Sequence, residues 1–203
     1  MKVWLHHLDY VAQTVCEGSS QDIADDVLDY MAGEIVGQRS RYKTRTILFK
    51  IWMNVADEHK PLRDEAVLLY PKLTREERTV LHWGLTVLAY PFFKTVVYEL
   101  GRLFRLQHVV SSQQIVRKMN SLYGDRHSVG VSTTAVLSTL RQWGIIRTSD
   151  RYNNVQADRI SLHMPALKRW SAEAVIRASE KEVLSIDMFN QHPAFFPFDA
   201  AID

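Results

Sequence analysis

One cysteine, Cys16, is present in 203 residues. That excludes an internal disulfide framework and any zinc site built from several cysteines, and it points to a reducing cytoplasm. Long apolar runs are also missing. The longest, Val80 to Phe93, covers 14 residues and contains His82. A membrane span needs ~20, so no membrane association is expected. The start, MKVWLHHLDY, has no apolar stretch followed by a small-residue cleavage site, so no secretory signal is expected. Internal repeats and low-complexity tracts are absent. With 46% hydrophobic and 24% charged residues, disorder, collagen-like sequence and a coiled-coil rod are excluded. The length allows one or two domains.

Catalytic signatures are scarce too. There is no G-x-x-x-x-G-K-[ST], G-x-G-x-x-G or G-x-S-x-G, so phosphate-loop and nucleophile-elbow chemistry lack their backbone. None of the eight histidines has a compact metal spacing. His6 and His7 are adjacent, and neighbours on a helix are expected to point in different directions. His82 lies on an apolar helix and reads as a satisfied core histidine. Cys16 reads as a small buried hydrophobe. Asp22, Asp25, Asp26 and Asp29 share a helix face that reads as solvated. The expectation is a protein without catalysis, cofactor or metal.

What is present is an uneven charge. The net charge is +2. Residues 1–91 carry 11 Lys and Arg against 13 Asp and Glu, and residues 164–203 carry 4 against 6. Residues 92–163 carry 10 against 4, a net of +6. A basic block in a near-neutral chain suggests a polyanion partner.

Helical periodicity dominates residues 1–91. Apolar stripes run through Leu5–Val15, Ile23–Met31 and Ile47–Val55, with a short helix over Leu62–Tyr70. Thr74 and Glu77 form a capping box for a helix that is apolar on nearly every side. Pro91 ends or kinks it, and the period resumes from Phe92 to Gln107. This first part reads as a helical bundle. Arg39, Arg41, Lys43 and Arg45 precede the third stripe. Read as an extended segment, they project to one side and form a basic arm that could track phosphates.

Residues 92–163 hold the most informative pattern. Ser111 or Ser112 caps a helix with Ile115, Val116, Met119 and Leu122. Tyr123-Gly-Asp125 breaks it. A second helix starts between Ser128 and Ser132 and runs to Trp143, and Gly144 stops it. Ile145-Ile-Arg147 has strand character, Asp150 to Asn154 is turn chemistry, and Ile160 and Leu162 alternate in a returning strand. This is the order of a winged helix-turn-helix, whose second helix enters the major groove of DNA. A wheel at 100° per residue puts Thr133, Val136, Leu137 and Trp143 within about 60° of Leu140. Val131, Thr134, Ala135, Ser138 and Gln142 fall opposite, with Arg141 at the edge, giving a small, polar, acid-free face suited to base edges. Arg117, Lys118, Arg126, His127, Arg147, Arg151 and Arg159 surround it. The site expected to bind double-stranded DNA is therefore these residues with Thr134, Ser138, Arg141 and Gln142, extended by the Arg39–Arg45 cluster. The alternative is an adaptor that docks a protein, through the winged helix or the aromatic tail, without touching DNA.

Residues 164–203 read as a helix from Pro165 to Lys181 and an aromatic tail, Met188 to Phe198. Its phenylalanines are expected to dock on the helical body or on a second copy of the chain. The fold class is thus mostly α, with an N-terminal helical bundle and a small β-hairpin.

Ala89-Tyr-Pro-Phe-Phe93, Leu100-Gly-Arg-Leu-Phe104, Leu122-Tyr-Gly-Asp-Arg126 and Leu140-Arg-Gln-Trp-Gly-Ile145, in this order and spacing, resemble the BrxA family. These are small accessory proteins of bacterial BREX phage-defence islands. The resemblance is clearest from Leu73 to Thr148. It implies a NusB-like N-terminal part, a winged helix, DNA binding, other BREX proteins as partners and no catalytic residue.

Overall fold

A computed structural model of the chain describes residues 3–18, 23–150, 152–179 and 190–200. The fold is mostly α with a small sheet. Helix α1 (Leu5–Glu17) ends at Gly18, where φ of +69° needs a residue without a Cβ. Helices α2 (Ile23–Tyr30), α3 (Gln38–Trp52) and α4 (Lys60–Leu69) follow. The serines expected to cap α2, and Asp22, lie outside the described residues; Asp25, Asp26 and Asp29 face solvent.

Helix α5 (Arg75–Ala89) is the centre of the molecule, and its local sequence dictates how it starts and stops. The Glu77 amide donates to the Thr74 hydroxyl at 3.3 Å, and the Thr74 amide donates to the Glu77 carboxylate at 3.1 Å. Val80, Leu81, His82, Trp83, Leu85 and Val87 are all buried, so other elements cover α5 on every side. Pro91, which has no N–H to lose, opens α6 (Pro91–Phe104), and the chain turns by 118° between the two helices.

Strand β1 (Val109–Ser111), α7 (Ser112–Tyr123), α8 (His127–Gln142), β2 (Ile146–Thr148) and β3 (Asn153–Gln156) come next. Helix α8 starts one residue before the expected range. The antiparallel sheet has the order β1-β3-β2. Its return strand is β3, not the segment around Ile160 and Leu162. Ile160–Ser161 forms a separate strand, β4, paired in parallel with β5 (Phe198–Asp199) from the tail. β1 was not legible in sequence because a three-residue strand carries too little alternation.

Helix α9 (Pro165–Ser179) lies against α4 and α5, and the turn Pro193–Phe195 lies against α6. The tail therefore docks on its own chain, with Phe195, Phe196 and Phe198 buried. Met188 lies outside the described residues. Buried indoles join distant segments through their N–H groups. Trp83 donates to Ala194 O at 2.8 Å, Trp170 to Leu62 O at 2.8 Å, and Trp143 to Val3 O at 2.9 Å.

Trp52 donates to His82 Nδ1 at 3.0 Å, and His82 Nε2 lies 3.0 Å from Asp9 Oδ1, which also accepts from the Tyr70 hydroxyl at 2.9 Å. An indole N–H only donates, so Nδ1 is bare and Nε2 carries the proton. Burial holds the His82 imidazole below its ordinary pKa, against the pull of Asp9. Burial tends to raise the Asp9 carboxyl, but the hydrogen bond and charge of His82, with the Tyr70 hydroxyl, outweigh it and hold Asp9 low.

Two predictions follow from this packing. As pH falls through ~6.5 the unfolded chain protonates at His82 while the folded chain resists it, so this contribution to stability is complete above that pH and declines below it. Denaturant midpoints should be flat from pH 8 to 7 and fall from pH 6.5 to 5, with a shallower fall in His82→Gln. The second concerns Gly101, where an added Cβ would run into the Pro193 carbonyl oxygen and press on the Phe196 ring. Gly101→Ala should cost about 1–3 kcal/mol through overpacking. Thermal unfolding and faster proteolysis of the C-terminal segment would register it.

Candidate nucleic-acid interface

The α7–α8 unit is built by local rules at each joint. Ser111 caps α7 through a second capping box: its hydroxyl accepts the Gln114 amide at 3.1 Å, and its amide donates to Gln114 Oε1 at 2.8 Å. Gly124, at φ +88°, ends α7. Asn120 Nδ2 then donates to Asp125 at 2.7 Å and Arg126 to the Tyr123 carbonyl at 2.9 Å, which shapes the turn. At the far end, Gly144 has φ +71°; its amide donates to Arg141 O at 3.1 Å and that of Ile145 to Leu140 O at 3.0 Å. This Schellman arrangement reverses the chain directly into β2.

On α8, Thr133, Leu137, Leu140 and Trp143 are buried and Val136 is half-buried. Val131, Thr134 and Gln142 are exposed, and Ser138 is half-buried on the same side. Ala135 departs from the outward face expected for it. With Ser132, Val136 and Thr139 it lines a crevice whose opposite wall is Ile47 and Ile51 of α3, Thr86 of α5 and Tyr90, so that flank of α8 faces the bundle.

Thr134 shares a shallow depression with Arg126 and His127, both exposed, at the start of α8. Gln142, at the other end, opens into a cleft with Arg147, Arg75 and His163. Arg147 is exposed and lies 3.3 Å from Asp158. Arg117 and Lys118 are exposed on the α6 side of α7, across a depression from Arg102. Arg75 carries no signal in the sequence, lying outside residues 92–163, whereas Arg102 belongs to that basic block and is brought opposite Arg117 and Lys118 only by the fold.

Several expected contacts take another role. Arg141 turns inward: its guanidinium donates to Asn154 Oδ1 at 2.5 and 3.1 Å and to Ser112 Oγ at 3.1 Å. Asn154, expected in a turn, is wholly buried in β3 and also donates to Val110 O at 2.9 Å. Arg141 therefore ties α8 to α7 and the sheet. Arg159 donates to the Phe198 carbonyl and lies 3.8 Å from Asp199, so it holds the tail. Arg151 lies outside the described residues.

The Arg39–Arg45 segment is helical, not extended, because it forms the first two turns of α3. At 100° per residue, Arg39 and Lys43 share one side and Arg41 and Arg45 the opposite one. Arg41 donates to Ile35 O at 3.0 Å and Val36 O at 3.2 Å. Arg45 donates to Ala24 O at 3.4 Å and covers the Tyr42 ring at 4.9 Å. Carbonyls around α2 and the linker after it capture these two, leaving Arg39 and Lys43 exposed as a pair.

This division is testable by stability alone. Arg41→Ala should lower the free energy of unfolding by on the order of 1–3 kcal/mol for lost charged hydrogen bonds. The double change Arg39→Ala, Lys43→Ala should stay within about 0.5 kcal/mol of the parent. Chemical denaturation of both variants checks it.

No family model, no curated protein and no solved structure matches this chain.

Proposed function

We propose that the chain binds duplex DNA, with α8 in the major groove and the β2–β3 hairpin as a wing beside it. In this reading α6, β1, α7, α8, β2 and β3 make a winged helix-turn-helix and the preceding helices a NusB-like bundle. The order of these elements and the sheet order β1-β3-β2 support it. The observation that carries it is the exposed strip of α8, Val131, Thr134 and Gln142. The strip itself contains no acid; Arg126 and His127 bound one end, beside Asp125, and Arg147 bounds the other, beside Asp158. Short polar side chains there allow close approach to base edges, and the flanking cations fit phosphates.

The function is then non-catalytic: an accessory protein of a bacterial BREX-type defence system, acting on DNA in the cytoplasm. The resemblance to BrxA in Ala89–Phe93, Leu100–Phe104, Leu122–Arg126 and Leu140–Ile145 is the support for that biological setting. An adaptor that docks a partner protein is the competing reading. The buried state of Phe195, Phe196 and Phe198 weighs against the aromatic tail as its handle.

Fluorescence anisotropy with a labelled duplex at several salt concentrations tests the proposal. Affinity should fall with salt, with a log–log slope of about −0.9 per phosphate contact. Replacing Arg117, Lys118 and Arg126 together by alanine should weaken binding to all sequences and flatten the slope. Thr134→Glu and Gln142→Glu should weaken binding without changing the unfolding midpoint, since both positions are exposed. A parent-like affinity in the triple variant and in both glutamate variants would refute the interface.

A further inference from the structure

We propose that His6, His7 and Glu34 form a binding site for one divalent metal ion of the zinc class. The two histidines were expected to diverge as helix neighbours. They instead converge on one carboxylate oxygen: His6 Nε2 lies 2.9 Å and His7 Nε2 3.0 Å from Glu34 Oε2. The three ligand atoms all fall within 4.8 Å of one another, the only such His, Cys, Asp or Glu group among the described residues. Successive helical side chains are turned by 100°, not 180°, so two long imidazoles at a helix start can reach round to the same point.

The donor set selects the ion. Two imidazole nitrogens and one carboxylate oxygen suit zinc and its transition-metal neighbours, whereas calcium and magnesium demand oxygen. Three protein ligands leave further positions for water, the pattern of an open zinc site. His6 and Glu34 are 34% and 39% exposed at their side chains, so solvent reaches the point of convergence, while His7 at 1% forms its floor. Ligand atoms around zinc, with bonds of ~2.0–2.2 Å, stand about 3.3–3.5 Å apart. A small rotation of the Glu34 side chain supplies that spacing.

The surroundings hold the ligands in place. Trp4 stacks on the His7 ring, 3° from parallel at 5.4 Å, and Tyr30 meets both imidazoles edge-on. Glu34 sits in the turn after α2, where its own amide and that of Ile35 donate to Met31 O, and Arg41 ties down the carbonyls of Ile35 and Val36. His7 Nδ1 is buried and has no hydrogen-bond partner. No hydrogen bond at Nδ1 therefore fixes the tautomer, so the proton can move to Nδ1 and leave Nε2 bare for a metal. A bound ion would join the start of α1 to the α2–α3 linker.

The test uses the tag-free full chain, stripped with a chelator and titrated with zinc chloride by calorimetry. Saturable binding of one equivalent is expected, with a rise in unfolding temperature, no comparable effect of magnesium chloride, and a visible cobalt(II) spectrum of a low-coordinate nitrogen–oxygen site. His6→Ala and Glu34→Gln alter partly exposed side chains and should each weaken zinc binding at least tenfold, while their metal-free unfolding curves show that they fold. The proposal is overturned by absence of one-equivalent binding, or by unchanged binding in the variant that combines His6→Ala with Glu34→Gln, which would assign the ion to another histidine.

Discussion

Asp9 is the carboxylate on which the helical bundle closes. It sits on α1 and accepts from His82 on α5 and from Tyr70 in the turn after α4, while Trp52 on α3 feeds the far side of the imidazole. Four segments thus meet in one chain of hydrogen bonds around a fully buried histidine. Buried polar groups in a low dielectric are costly unless paired, so the network admits one arrangement of these helices. Arg78 closes it from outside, donating to the Tyr70 carbonyl with its guanidinium 4.3 Å from the ring centre.

Buried aromatic side chains likewise seat α8 and the tail on the bundle. Trp83 of α5 meets Phe93, Trp143, Phe196 and Phe198 edge-on, so one indole touches α6, the end of α8 and the tail. Trp143 in turn donates to the carbonyl of Val3, ahead of α1. The orientation of α8 is therefore set by the core and not by its own turn alone. Gly101 lets the tail backbone lie directly on α6, which seals the aromatic cluster from water.

The arginines divide by what lies within reach. Carbonyls at helix ends and in linkers are unsatisfied acceptors, and a guanidinium with five donors is the residue best able to collect them. Arg41, Arg45 and Arg159 are used in this way, while Arg141 serves the side-chain oxygens of Asn154 and Ser112. Arg117 and Lys118 stay at the surface on α7, and Arg126 stays exposed in the turn although it also donates to the Tyr123 carbonyl. A surplus of positive charge in a sequence is thus an upper bound on the charge available for binding.

Features that depend on neighbours a few residues apart were legible in the sequence. The Thr74–Glu77 box, the stop at Gly144, the bend at Pro91 and the inward face of α8 through Leu137 and Leu140 follow from hydrogen-bond geometry and helical period. So does the mostly α character of the chain. Other features needed the fold, because their partners are distant in sequence. Arg141 turns inward only because Asn154 stands in the sheet beside it, β4 pairs with a strand from the tail, and Arg41 and Arg45 serve backbone carbonyls that a helical α3 brings near. His6 and His7 meet Glu34 across 28 and 27 residues. Sequence determines most of the helices and their inward faces, since those energies are local; where α3 begins, which polar groups end up paired, and which remain exposed is decided only when packing brings the helices together.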